Sequence, residues 1–134
     1  MSKSADYEGS LRRRLGEVSP EAAAGLEHLE DLPLQDGMHA AAVILEYACK
    51  SQNCAAILAG RRAFSRISRD WLDRHLQVAI ADSLDLADDW EYRRLLELLS
   101  LSLPNALSAY IELGLGSSNP EILDAATDYS AGRD

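Results

Sequence analysis

His28, His39 and His75 are the only imidazoles in the chain, and no two of them share the close spacing that brings ligands to one metal ion. A structural or catalytic zinc needs three or four donors converging at about 2.0–2.3 Å, and neither H-x3-H nor H-E-x-x-H occurs. Glu27, Asp31 and Glu46 lie near the first two histidines in sequence, without a spacing that closes a site. His75 falls within an apolar helical stripe, where a histidine bonded to one carbonyl or carboxylate is the expected state. Cys49 and Cys54 form an isolated C-x4-C pair. With no second pair this is not a zinc signature, and in a reducing compartment the two read as buried free thiols flanking a turn between helices. Acid–base catalysis would need two carboxylates with opposed pKa shifts in a dry cleft. Asp82, Asp85, Asp88, Asp89 and Glu91 are the densest acidic cluster, and they read as a solvated turn with a helix cap. No serine or cysteine has a nucleophile-elbow setting, and no glycine-rich loop follows a strand. The sequence therefore predicts no catalytic residue, no metal, no cofactor and no enzyme.

Charge layout is the most informative polar feature. The chain carries 13 Lys and Arg against 22 Asp and Glu, a formal net charge of −9. Such a surface repels phosphate backbones and anionic lipid heads, so neither nucleic acid nor membrane is an expected partner, whereas a basic protein is. Residues 21–36 hold five acids and no cation, and residues 82–91 hold five more. Between them, residues 61–74 carry five arginines beside Asp70 and Asp73. Arginine tracts at 12–14 and 93–94 are too short and too offset by acids for a nucleic-acid stripe. Two readings of this layout stand side by side. Ion pairs between neighbouring helices would neutralise it internally, each worth little. Alternatively, a bipolar surface would select one partner by complementarity. Interface energy concentrates in aromatics and arginine. Asp85, Asp88 and Asp89, with Trp90 and Tyr92 beside them, are the partner-binding candidates, together with Arg61 and Arg62 if exposed.

The elements that must position these groups are helices. Apolar residues make up 47% of the 134, with Leu and Ala prominent and β-branched residues scarce, which favours an all-α chain of one domain. Tyr7, Leu11, Leu15 and Val18 allow a short helix in an otherwise loosely ordered segment, residues 1–18. Ser19-Pro20 opens "PEAAAGLEHLED", Pro33 ends it, and "LPLQDG" reads as a linker. "DGMHAAAVILEYACKS" is apolar on most sides and reads as a central helix. Asn53 caps a helix with Ile57, Gly60, Phe64 and Ile67 on one face, and Ser68 caps another with Trp71, Leu72, His75, Leu76, Ala79 and Ile80. Asp88 and Glu91 have capping-box spacing, and Arg93 and Glu97 are spaced to pair. Pro104 and Asn119-Pro120 start the last two helices, separated by Gly116. Short connections predict six or seven antiparallel neighbours in a single domain over 19–130, with 131–134 frayed. The start lacks an apolar signal-peptide core and no run is long enough to span a bilayer, so a cytoplasmic protein is expected.

Placing Leu45–Ala59 over Ile111–Ala125 superposes Ser51 on Ser117, Asn53 on Asn119 and Ala59 on Ala125, an offset of 66 residues. Twice 33 is a length typical of two-helix repeats. "NPEILDAATDY" resembles the second helix of HEAT-like repeats, in which Asn/Asp-Pro-Glu precedes an apolar-apolar-x-Ala-Ala pattern. Asp88–Tyr129 as a whole is similar to the C-terminal parts of small bacterial helical proteins, some of them immunity proteins that neutralise a toxin made by the same cell. The resemblance implies a HEAT-like solenoid fragment, or a compact helical bundle, that binds protein. The shared motifs are structural, so it carries over no site. Where HEAT-like second helices often have Arg or Lys, this chain has Asp124, Thr127 and Asp128, which argues further against nucleic acid. The expected function is a non-enzymatic binding module, in its most concrete form an immunity-type inhibitor that masks a basic toxin surface. Two alternatives remain open. One is a homodimeric scaffold or adaptor joined through Trp90, Tyr92 or Tyr110; the other is a small ligand-binding protein or enzyme with a pocket near His75. Monomer and homodimer are both compatible with the sequence.

Overall fold

Proline, serine and asparagine punctuate this chain, and its helices begin where they stand. The computed structural model describes residues 6–131, and among these there is no strand. The elements are α1 (Tyr7–Val18), α2 (Pro20–Ala24), a 3-10 turn (Leu26–Asp31), α3 (Leu34–Leu45), a π turn (Glu46–Lys50), α4 (Cys54–Arg66), α5 (Arg69–Ser83), α6 (Asp89–Ser102), α7 (Pro104–Leu115) and α8 (Pro120–Ala131). The all-α class holds, as a helical bundle or solenoid fragment.

Three boundaries differ from the sequence reading, each for a local reason. Of the segment 1–18, expected to be loose with a short helix at most, residues 1–5 lie outside the described residues. Tyr7–Val18 is a 12-residue helix anchored by buried Leu11 and Leu15 against α2, α3 and α4. The single helix expected after Pro20 breaks at Gly25, whose extended backbone lets Leu26 and Leu29 turn into the core. The "LPLQDG" linker is the first turn of α3: Pro33 cannot donate, but its carbonyl accepts from the N–H groups of Asp36 at 2.9 Å and Gly37 at 3.1 Å. Of the end expected to fray, 131–134, Ala131 is the last residue of α8, and 132–134 lie outside the described residues.

Packing follows the apolar stripes. On α4, Ile57, Gly60, Phe64 and Ile67 are buried; on α5, Trp71, Leu72, Leu76, Ala79 and Ile80 are buried, with His75 at the margin. Helix α6 is the hub of the C-terminal half, with Tyr92, Leu95, Leu96, Leu98 and Leu99 fully enclosed, and it touches α4, the π turn, α7 and α8. Burying each such leucine contributes about 1.5–3 kcal/mol before the cost of ordering it.

The two turns aligned in sequence are built alike. Ser51 Oγ accepts from Asn53 N–H at 3.1 Å, and Ser117 Oγ accepts from Asn119 N–H at 3.0 Å. Asn53 Oδ1 then caps α4 through Ala55 at 2.9 Å and Ala56 at 3.2 Å, as Asn119 Oδ1 caps α8 through Glu121 at 3.0 Å. The same offset relates two close helix crossings. A Cβ on Gly60 would lie 2.5 Å from the Ala48 backbone nitrogen, and one on Gly114 would lie 2.8 Å from Ala126 Cβ. Ala48 aligns with Gly114 and Gly60 with Ala126, so the small residues change sides while the close approach persists.

Candidate functional site

Two junctions between helices bear on recognition: a seam between α4 and α6 that holds buried charge, and an open groove between α5 and α7. In the seam, Glu97 receives Arg61 from α4 through one carboxylate oxygen and Arg94 from its own helix, at 2.6 Å, through the other. All three side chains are largely buried, with 20%, 25% and 19% exposure for Arg61, Glu97 and Arg94. The Arg94 guanidinium lies 4.5 Å from the centre of the Trp90 ring, and Trp90 Nε1–H donates to the Ser51 carbonyl at 3.1 Å. Nε of both arginines is buried without a hydrogen-bond partner. Cys49 lies within the field of both arginines and of two carboxylates, Glu91 and Glu97. Burial dominates, pushing the Cys49 thiol up to about 12, which favours the protonated form.

The acidic turn after α5 is organised by its own backbone. Asp85 Oδ1 accepts from Ala87 N–H at 3.0 Å, and Asp88 Oδ1 caps α6 through Glu91 N–H at 3.1 Å. Glu91 does not close the expected reciprocal box on Asp88; its Oε1 accepts from Asp85 N–H at 2.9 Å. Asp85, Asp88 and Asp89 all remain exposed, and none of them holds a cation. Asp73 and Asp82 on α5 share that state.

Of the remaining predicted site residues, Tyr92 must be corrected. It is fully buried, its hydroxyl donates to the Tyr110 carbonyl at 2.7 Å, and burial raises its pKa. It has no surface to offer a partner or a second copy. Trp90 is held in the seam and only partly exposed. Arg61 is consumed by Glu97, and exposed Arg62 pairs with Glu8 of α1 at 2.5 Å. Arg93 reaches Asp128 on α8 at 3.1 Å instead of the expected Glu97. Of the two thiols, Cys49 is buried as expected, but Cys54 is exposed because it occupies the first turn of α4. The His75 ring lies 5.0 Å from that of Trp71, tilted by 54°, and His28 sits at the surface 3.9 Å from Asp31. Among the described residues no group of three or more His, Cys, Asp and Glu could hold a metal ion. Among the described residues no helix is long and apolar enough to cross a membrane.

Sequence reasoning missed the groove altogether. It has a volume of about 530 Å³ and lies where α5 and α7 are held apart. Leu72, Leu76 and Ile80 form one wall; Ala106, Tyr110 and Leu113 form the other. The signal was present: Leu113 interrupts the solvent face of α7 with 56% exposure, and small Ala109 stands beside it. His75 does not line the groove.

Comparison with protein-family models, with curated proteins and with solved structures finds no match for this chain. Its function is therefore read from its own surface.

Proposed function

We propose that the chain is a non-enzymatic protein-binding module that takes a basic partner, with an immunity-type inhibitor as its most concrete form. The observation that carries this reading is the segregation of charge. Of the eleven Lys and Arg side chains among the described residues, all but Arg12, Arg69 and Arg74 hold a carboxylate at 4.0 Å or less. Internal neutralisation thus accounts for most arginines and leaves the acids of α5 and the following turn in surplus. Solvated carboxylates of one sign steer a cationic surface into contact and speed association. Asp85 and Asp88 are already oriented by the turn, so little side-chain entropy is lost when a partner cation reaches their outer oxygens.

The test is to co-purify the chain with the product of the adjacent reading frame and to measure affinity against salt. The expected result is a complex that weakens with salt. Asp85→Asn, Asp88→Asn and Asp89→Asn together should weaken it by about tenfold. Asparagine is the right replacement because it caps a helix as well as aspartate does, so charge is removed and the fold kept. A salt-insensitive complex that ignores the triple substitution overturns the reading, as does catalytic turnover by the isolated chain.

A further inference from the structure

The groove between α5 and α7 has no role in the acidic-turn reading, yet it is continuous with it through Leu86, which lines its wall from the turn itself. Its α5 wall is closely packed: Leu72, Leu76 and Ile80 are 5%, 6% and 1% exposed, spaced one helical turn apart along α5. An occupant therefore lies along the groove and does not sink into it. A row of apolar side chains at that spacing, facing a second row on a separate helix, is the receiving half of helix-in-groove recognition.

Charge decides which helix. From Arg69 to Asp89 and along α7, two arginines, Arg69 and Arg74, stand against seven carboxylates: Asp70, Asp73, Asp82, Asp85, Asp88, Asp89 and Glu112. None of the nine is in an ion pair. Inside the groove the only charged lining residue is Asp73. A second copy of this chain would bring the same carboxylates against these, so self-association through this face is electrostatically opposed.

We propose that the α5/α7 groove seats the apolar face of a cationic amphipathic helix from the partner, its Lys or Arg side chains reaching Asp73 and the carboxylates of the α5–α6 turn. This rests on the protein-binding reading above and names the site and the partner's shape within it.

A synthetic 18-residue Leu/Lys peptide with helical periodicity is the probe, titrated into the full chain with methyl chemical shifts followed by NMR. The largest shifts are expected at Leu72, Leu76, Ile80 and Leu113. Ala109→Trp fills the groove from an exposed position, so it leaves the core alone and should weaken binding at least about tenfold. Asp73→Asn should weaken it about threefold at low salt and hardly at all at high salt. Asp124→Asn on α8 should change nothing. A scrambled Leu/Lys peptide or a Leu/Glu peptide that binds equally well overturns the proposal. So does a concentration-dependent dimer that Leu113→Glu dissolves, which would make the occupant a second copy. Peptide binding that is salt-sensitive but indifferent to Ala109→Trp, with shifts confined to the turn, overturns the groove and leaves the acidic-surface reading standing.

Discussion

The α4/α6 seam and the α5/α7 groove are both gaps between helices, and the chain closes them in opposite ways. In the seam, residues long enough to span the gap carry complementary charge, and Arg61, Glu97 and Arg94 fill it with one another. In the groove, the facing residues are mostly apolar, no salt bridge crosses, and Ala106 and Ala109 leave space. The contrast teaches where recognition is affordable. A cation already bound inside its own protein has little left for a partner, and two apolar walls that do not meet have contact still to make.

The seam should therefore govern stability and the groove should not. The largest effect is expected from Glu97→Ala, which leaves two enclosed guanidinium groups without their anion and should cost about 3 kcal/mol in urea unfolding. Asp73→Ala at the groove should stay within about 0.5 kcal/mol. Equal losses at the two sites would erase the distinction.

Gly60→Ala comes next. Its new methyl would meet the Ala48 backbone, an overpacking cost of about 1–3 kcal/mol that exceeds the gain of up to about 1 kcal/mol from alanine's helix propensity. Gly16→Ala is the internal control: the nearest atom to its new methyl, Ala23 Cβ, is 3.8 Å away, so thermal unfolding should shift upward.

A smaller effect separates cap from charge at the turn. Asp88→Ala should destabilise by about 1 kcal/mol through the lost cap of α6, whereas Asp88→Asn should cost a few tenths at most. A similar loss in both variants would show that charge, not the hydrogen bond, holds the helix start.

The smallest lies at α2. Ser19 Oγ–H donates to Glu21 Oε2 at 2.6 Å, and this bond lowers the Glu21 pKa below its ordinary 4.5. A depressed carboxylate supports the fold above the unfolded value and loses that support as pH falls through the folded one. Amide protection factors in α2, exchange rates corrected for the intrinsic pH dependence, should accordingly fall as pH drops below 4.5, and Glu21→Gln should abolish that fall.

Most of the helices were legible because their signals are local. Asn53, Ser68 and Asp88 cap where side-chain chemistry says they should, and the stripes of α4 and α5 face inward as their spacing demands. Pairing was less legible, because a salt bridge depends on which helix arrives opposite. Arg93 is one turn from Glu97, yet α8 presents Asp128 to it while α4 delivers Arg61 to Glu97. Tyr92 misled for the same reason. Beside exposed aspartates in sequence it looks like surface, and only its place on the inner side of α6 shows that it reaches α7. The groove was hidden because it is a property of the distance between two helices, which neither helix encodes alone.

One consequence of the seam concerns the two thiols. Cys54 stands in solvent, while Cys49, five residues earlier, is enclosed beside Arg61 and Glu97. A thiol reagent should consume the first at once and the second only during moments when α4 and α6 part. The lag between the two modifications is a built-in stopwatch for that opening. It times the breathing of the interior without any label being added to the molecule.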